Sequence, residues 1–192
     1  MLKSLFLASS LAVTAFTPAA LANWQLDNST SELNFISIKN NQVAETHHFK
    51  QLAARLSEQG TLSLEIDLSS IESLIPIRNE RMQKMLFDIA AFPKAEVSAS
   101  LAPQLKTLQE GVNILSQVPA TLSLHGKTQP LSLELTVVKQ GKNLLVSSRK
   151  PVLVQAASFD LVEGIDALRV IAGLDTIATA VPVNFTLQFY PE

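Results

Sequence analysis

Three histidines are the residues of this chain best suited by type to bind a metal or move a proton. His47 and His48 are adjacent, and adjacent side chains of a strand point to opposite faces, so the two cannot hold one ion from that segment. Because the chain has no cysteine, a zinc site would need carboxylates and His125 brought together by folding. His125 alternates with Leu122 and Leu124, which predicts a solvent-facing histidine at a turn. We therefore expect no metal site.

Serine and threonine are common in the sequence, yet none stands in a nucleophile motif. The chain contains neither the Gly-x-Ser-x-Gly elbow of many hydrolases nor the His-Glu-x-x-His helix of zinc proteases. Its six glycines are scattered, so they predict no phosphate-binding loop. We expect the protein not to be an enzyme. A hydrolase or isomerase would need Ser, His and carboxylate groups that meet only in the fold, with His47 and His125 as the candidates.

Two arginines could instead bind a charged group. Apolar residues recur at intervals of three and four over residues 78–90, which predicts a helix that ends at Phe92-Pro93. Arg78, Arg81 and Lys84 share the opposite side of that helix. A basic helix face is most often solvated, but at the mouth of a barrel Arg78 and Arg81 would meet the polar or anionic head group of a ligand. Both interpretations are open at this point.

The elements that would position these residues are mainly strands. Five stretches alternate apolar and polar residues with a period of two, and their apolar faces carry no charge, so no buried carboxylate is expected there. This pattern predicts an all-β fold, an antiparallel barrel of about eight strands with one or two short helices. The apolar members of the five stretches are Leu62, Leu64, Ile66, Leu68; Ala95, Val97, Ala99, Leu101; Leu122, Leu124; Leu131, Leu133, Leu135, Val137; and Val181, Val183, Phe185, Leu187, Phe189.

Three further segments have less regular patterns. We interpret residues 43–56 as a strand that forms a hairpin, through the turn at residues 58–60, with the next strand. Residues 104–118 fit either a helix or two strands, and Gly111 in the middle favours a hairpin about residues 110–111. Asp160, with Glu163 three positions later, predicts the start of a short helix that ends at Gly173.

The first 22 residues have the pattern of a cleaved secretory signal. Lys3 precedes an apolar run from Leu5 to Phe16, and Pro18 leads to the small-residue site Ala20-Leu21-Ala22. Residues 23–192 then form one domain, which is long enough to bury a core without disulfides. An export signal together with a lack of cysteine predicts a periplasmic protein.

Composition limits the partners of this domain. The chain carries 15 basic and 17 acidic residues with both signs interspersed, so we expect no nucleic acid partner. After the signal, no stretch reaches about 18 uninterrupted apolar residues, so we expect no stable membrane insertion. A homodimer is compatible with the sequence.

A succession of motifs through the chain resembles the YceI-like polyisoprenoid-binding proteins. The resemblance implies a lipocalin-like antiparallel barrel in the periplasm, with a hydrophobic tunnel for an isoprenoid chain such as a quinone tail or a polyprenyl lipid, and with no catalytic residues. Thr30, Glu45-Thr46 and Asp160 depart from residues usual in the family. The motifs are Trp24, Asp27, Ser31 and Phe35; Ser70-Ile71; Arg78-Asn79-Glu80-Arg81-Met82; Phe87-Asp88; Phe92-Pro93; the run from Ala120 to Pro130; Phe159; and Val181 with Phe185.

Taken together, these observations predict a binding protein. An amphiphilic isoprenoid or other lipid of the quinone or polyprenyl type would occupy the barrel for storage or transfer, with no other cofactor. The small side chains of Ala95 and Ala99 would leave room inside. The alternative is a structural or interaction protein of the cell envelope whose barrel is filled by its own side chains. The residues expected to line the cavity are Phe35, Leu64, Ile66, Val97, Ala99, Leu133, Leu135, Val183 and Phe185.

Overall fold

The computed structural model describes residues 23–192, so the predicted signal segment lies outside the described residues. Twelve strands of this part of the chain belong to one sheet. The strands are β1 (Trp24–Leu26), β2 (Glu32–Lys39), β3 (Val43–Phe49), β4 (Leu52–Leu56), β5 (Thr61–Asp67), β6 (Ile71–Glu72), β7 (Lys94–Ser100), β8 (Gly111–Leu124), β9 (Lys127–Gln140), β10 (Asn143–Ser148), β11 (Val152–Gln155) and β12 (Ala180–Pro191).

Eight of these strands close into an antiparallel barrel. Their order is β1-β4-β5-β7-β8-β9-β10-β12, and β12 returns to pair with β1 through Leu26 opposite Phe189. Strand β12 is long enough to pair with four other strands. Its residues 186–191 pair with β10 and β1, and its residues 180–186 pair with β11 and β2. The expected all-β barrel of eight strands is thereby confirmed.

Alternation along the strands fixes which side chains point inward. In the β5–β7 pair, Leu64 lies opposite Val97 and Ile66 lies opposite Ala95. The intervening Glu65 faces outward, where its carboxylate forms an ion pair with Lys94. A slip of one residue would turn every apolar side chain of such a strand to solvent, so the pattern itself specifies the register.

For the segments with irregular patterns, some predictions are confirmed and others are wrong. Residues 43–56 are extended, as expected, but form two strands, β3 and β4, where one was predicted. The hairpin predicted for residues 104–118 is wrong, because this segment begins in a helix, α2 (Ala102–Thr107), and continues in the single strand β8. Pro103 favours the helix, since proline in the first turn sacrifices no hydrogen bond. Gly111, with φ +86°, begins β8 and does not turn between two strands.

Two other helical segments lie together at one end of the barrel, so the described chain has three short helices where one or two were expected. Helix α1 (Pro76–Arg81) continues as a π-helical turn (Met82–Leu86), and α3 (Val162–Ile171) packs across that turn. Gly164 permits this close approach, because a Cβ there would lie 2.5 Å from the Met85 carbonyl oxygen.

The predicted capping role of Asp160 is also wrong. Asp160 has φ 54° and ends a 3₁₀ turn (Ala156–Phe159), and its carboxylate lies 2.9 Å from Lys127 Nζ. Leu161 occupies the N-cap position of α3 without a side-chain hydrogen bond. Gly173 follows the helix with φ +63°, as expected of a glycine at a helix end.

Candidate functional site

The barrel encloses an apolar cavity of about 190 Å³. Every residue on its wall is aliphatic or phenylalanine. All nine residues predicted to line a cavity lie on that wall, and their contact with a ligand stays a prediction. The wall also includes residues from the helical end, namely Leu86, Phe87, Ala156, Leu161 and Ile165.

The interior is not filled by its own side chains. Val97, Ala99, Val183 and Phe185 point inward and yet are only half-buried, because they border open space. Protein interiors are normally packed as densely as organic crystals. An unfilled space of about 190 Å³ lacks the van der Waals contacts that packed side chains would supply, so an apolar ligand that fills it should stabilise the fold. Such a void is typical of a protein that fills its interior with a ligand.

A second pocket of about 270 Å³ adjoins the cavity at the helical end. The two spaces share Phe35, Leu86, Ile165 and Val181, so they meet at these side chains. Aliphatic side chains make up most of the second pocket's wall. Besides the shared Leu86, Ile165 and Val181, these are Ile75, Ile77, Leu168, Ile171, Ala172, Leu174, Ile177 and Ala178.

The ionisable side chains on the wall of the second pocket are all basic. They are Lys39, His47, Arg78 and Arg81, and this wall contains no Asp or Glu. The predicted pair Arg78 and Arg81 therefore lies beside a pocket at one end of the barrel. The side chain of Arg78 is only partly exposed. Arg78 therefore does not belong to a fully solvated helix face.

Glu45 sits between two of these cations. Arg78 Nη1 donates to Glu45 Oε2 at 2.6 Å, and the Lys39 ammonium pairs with the same oxygen. These contacts, the Lys39 hydrogen bond above all, lower the pKa of the Glu45 carboxyl. Arg78 Nη2 also donates to the Ser73 carbonyl oxygen, so the guanidinium is held between α1 and β3.

His47, a candidate in the sequence by residue type alone, lies on β3 with its side chain in the interior, a position that the sequence pattern did not predict. It lies opposite Phe35 in the β2–β3 pair and faces inward with 2% of its surface exposed. Burial, followed by the nearby charge of Arg78, lowers the pKa of the imidazole to about 4, so the ring is neutral near pH 7. Its Nε2 is 3.9 Å from Glu45 Oε2, which is too long for a hydrogen bond, and Nδ1 has no partner among the described residues. His47 and Phe49 are two residues apart on β3, so their side chains point to the same face. The apolar Phe49 was therefore the feature of the sequence that could have indicated an inward-facing His47.

His125 differs from the expected solvent-facing histidine. Its ring is half-buried with its centroid 4.6 Å from that of Phe92, and its Nδ1 lies 3.1 Å from the Phe159 carbonyl oxygen. The residue therefore ties the β8–β9 turn to the 3₁₀ turn before α3. The sequence pattern did identify the turn, where His125 has φ 50°.

Within residues 23–192, no three His, Asp or Glu side chains group as ligands for a metal ion. No helix in this same range has the length and hydropathy needed to cross a membrane.

A closed eight-stranded antiparallel barrel around an apolar cavity defines a lipocalin-like barrel protein. The family model of the YceI-like domain matches residues 24–189, which is most of the chain. The chain therefore belongs to the YceI-like family, as the motifs in its sequence indicated.

Solved structures agree with this assignment. A polyisoprenoid binding domain from Saccharophagus degradans, implicated in plant cell wall breakdown, is 36% identical with a TM-score of 0.84, over 90% of this chain and 100% of that chain. BcnA from Burkholderia cenocepacia is 19% identical with a TM-score of 0.66, over 85% and 98% of the two chains. A YceI protein from Campylobacter jejuni is 12% identical with a TM-score of 0.56, over 97% and 99%. The last two show likeness of fold alone, and no curated protein matches this chain.

Proposed function

We propose that this protein is a non-catalytic binder of an amphiphilic isoprenoid, or a similar lipid of the quinone or polyprenyl type, which it stores or transfers. The observation that carries the proposal is the cavity of about 190 Å³ whose wall has no polar residue. The relative from Saccharophagus degradans, at 36% identity, is described as a polyisoprenoid binding domain, and this supports the same ligand class here.

Hydrocarbon burial is sufficient to hold such a ligand. Each methylene removed from water contributes about 0.8 kcal/mol, so an isoprenoid unit of five carbons contributes up to roughly 4 kcal/mol. The tail needs no hydrogen bond or ion pair, and this matches a wall that offers neither. The second pocket, with Arg78 and Arg81, adjoins the cavity and would take the polar end of the ligand.

The proposed site of action is the periplasm. The support is the signal-like sequence of residues 1–22 and the absence of cysteine from the chain. A soluble carrier there would shield a hydrocarbon tail from water between two membranes.

Native mass spectrometry of the purified protein tests the proposal. We expect the intact complex to exceed the protein mass by that of a lipid, and organic solvent to extract this lipid. Protein stripped by the solvent should rebind an added quinone or polyprenol. An empty barrel that also refuses both additions would contradict the proposal and favour the envelope interaction protein.

A further inference from the structure

We propose that the barrel wall has a side portal between β9 and β11, through which the tail of the bound lipid passes to and from an anionic membrane. The inference rests on the proposed function, because only a lipid carrier needs such a route. It assigns the side of the barrel, away from the helical end, as the surface that meets the bilayer.

The two strands that flank the portal are not hydrogen-bonded to each other. Strand β9 pairs with β8 along nearly its whole length, but it pairs with β10 only over residues 135–140. Strand β11 pairs with β12 alone among the described residues. Residues 130–133 of β9 and residues 152–155 of β11 are therefore neighbouring strand edges without a ladder between them.

Single contacts close the wall at both ends of this break. At one end the Arg149 amide donates to the Glu134 carbonyl oxygen at 2.8 Å. At the other end the Gln129 side-chain amide donates to the Ser158 carbonyl oxygen at 3.3 Å. Pro130 suits an unpaired edge, because proline has no N–H to donate to a ladder. Four residues of strand between the two contacts give an opening about 13 Å long.

The portal leads directly into the apolar cavity. Leu131 and Leu133 on one edge, and Val152 and Val154 on the other, line the cavity wall. A hydrocarbon tail that passes between the edges therefore meets aliphatic side chains on both sides. Because no ladder hydrogen bond must break, these edges separate more readily than two paired strands of the barrel.

The outer surface beside the portal fits an anionic bilayer. Leu153 points outward from β11, opposite Pro182, and is 61% exposed. Arg149 and Lys150 are exposed at the start of the portal and form no ion pair within residues 23–192. Glu134 is the single carboxylate on the two flanking strands. An exposed apolar side chain beside free cations is suited to the surface of an anionic membrane.

A covalent bridge across the portal tests the route, and the chain has no cysteine of its own to interfere. Ser132→Cys with Gln155→Cys places one thiol on the exposed side of each edge, and a short bismaleimide joins them. The probe is geranylgeraniol in vesicles of equimolar phosphatidylcholine and phosphatidylglycerol. We expect the bridge to slow uptake by the stripped protein about tenfold or more, which adds about 1.4 kcal/mol to the barrier. The affinity at equilibrium should not change, because the bridge lies outside the cavity.

The control is the same bridge between two strands that are already paired. Thr136→Cys with Ser147→Cys places the thiols opposite each other on β9 and β10. This bridged protein should take up geranylgeraniol at the rate of the wild type, because the bridge leaves the portal free.

The dependence of uptake on membrane charge tests the partner. Uptake by the wild type should be faster from the equimolar vesicles than from pure phosphatidylcholine, by about fivefold for each cation at the surface, or about 1 kcal/mol. Arg149→Gln with Lys150→Gln should abolish this difference and leave the affinity for geranylgeraniol in solution unchanged. Lys106→Gln with Lys142→Gln is the matched control, because it removes two exposed cations from α2 and from the β9–β10 turn.

The outcomes separate this inference from the proposed function. Uptake that is as fast after bridging the portal as before would overturn the portal. A preference for anionic vesicles that survives the loss of Arg149 and Lys150 would overturn the membrane surface. In both cases the binding of geranylgeraniol, and with it the proposed function, stands. A wild-type protein that does not bind geranylgeraniol at all would contradict the proposed function itself.

Discussion

At the scale of single residues, His47 has an unusual environment, because it is an ionisable side chain with only 2% of its surface exposed. A neutral imidazole lies among Arg78, Lys39, Glu45 and His48, and burial disfavours its charged form. Its pKa falls from 6.5 to about 4 in the folded protein. The unfolded chain therefore binds a proton between these two pH values that the native protein does not bind, so this residue makes the fold less stable as the pH falls through that window.

This reasoning predicts a pH-dependent difference between the wild-type protein and a His47→Gln variant. From pH 7 to pH 4, the unfolding free energy of the wild type should fall by roughly 3 kcal/mol more than that of the variant. Urea unfolding of both proteins at several pH values measures the difference. The contribution of the Glu45 carboxyl, whose pKa is also lowered, occurs in both proteins and largely cancels. A difference that stays constant over this range would contradict a buried neutral His47.

The alternation of residues along the strands predicted the apolar residues of the cavity wall, but it did not predict the polar residues of the second pocket. Eight of the nine expected lining residues, all but Phe35, belong to the alternating stretches, and all nine line the cavity, while their contact with a ligand stays a prediction. The expectation of no buried carboxylate concerned the five alternating stretches, and His47 lies outside them, on β3. Its neighbours Glu45 and Arg78 are 33 positions apart in sequence and meet only because β3 lies beside α1. No local pattern could have placed that ion pair.

At the scale of elements, Gly164 fixes how α3 packs on the π-helical turn. An added Cβ would lie 2.5 Å from the Met85 carbonyl oxygen and 2.9 Å from Leu86 Cα, and backbone atoms cannot easily give way. We expect Gly164→Ala to destabilise the protein by about 1 to 3 kcal/mol, although alanine is the better helix former.

Urea unfolding checks this prediction. Val170→Ala, at a residue of the same helix that is 62% exposed, is the control and should change stability by no more than about 0.5 kcal/mol. A Gly164→Ala protein as stable as the wild type would show that α3 is not held against the turn.

The elements that sequence predicted well are those with long, uninterrupted periods. The strands with alternating faces are confirmed, because packing on one face agrees with the local pattern, and the helix predicted over residues 78–90 is present but ends earlier, at Leu86. The sequence of residues 104–118 fits the period of a helix and that of a strand equally well. Gly111 wrongly indicated a hairpin turn in this segment. Proline in the first turn of α2 was the signal that should have outweighed it.

At the scale of the whole molecule, the proposed lipid binding requires a hollow barrel. The substitution Ala99→Phe places a large ring on the cavity wall. We expect the variant to fold with an unfolding free energy within about 1 kcal/mol of the wild type and to lose affinity for long-tailed ligands. A solid core would instead be destabilised by overpacking, typically by about 1 to 3 kcal/mol, with no effect on binding.

Ala53→Phe is the matched control for this variant. Ala53 lies on the outer, exposed side of β4, so the same substitution there leaves the cavity open. Denaturant unfolding and lipid titration of both variants separate a hollow barrel from a filled one. Equal binding by the Ala99→Phe and Ala53→Phe proteins would indicate that the ligand does not enter the cavity.

The most direct test is the dependence of affinity on tail length at a constant head group. Geraniol, farnesol and geranylgeraniol differ only in the number of isoprenoid units, and each can be titrated into the stripped protein. If the tail occupies the apolar cavity, affinity rises at least tenfold per added unit until the space is full, because each unit buries five more carbons. An affinity that does not change with tail length would contradict the account.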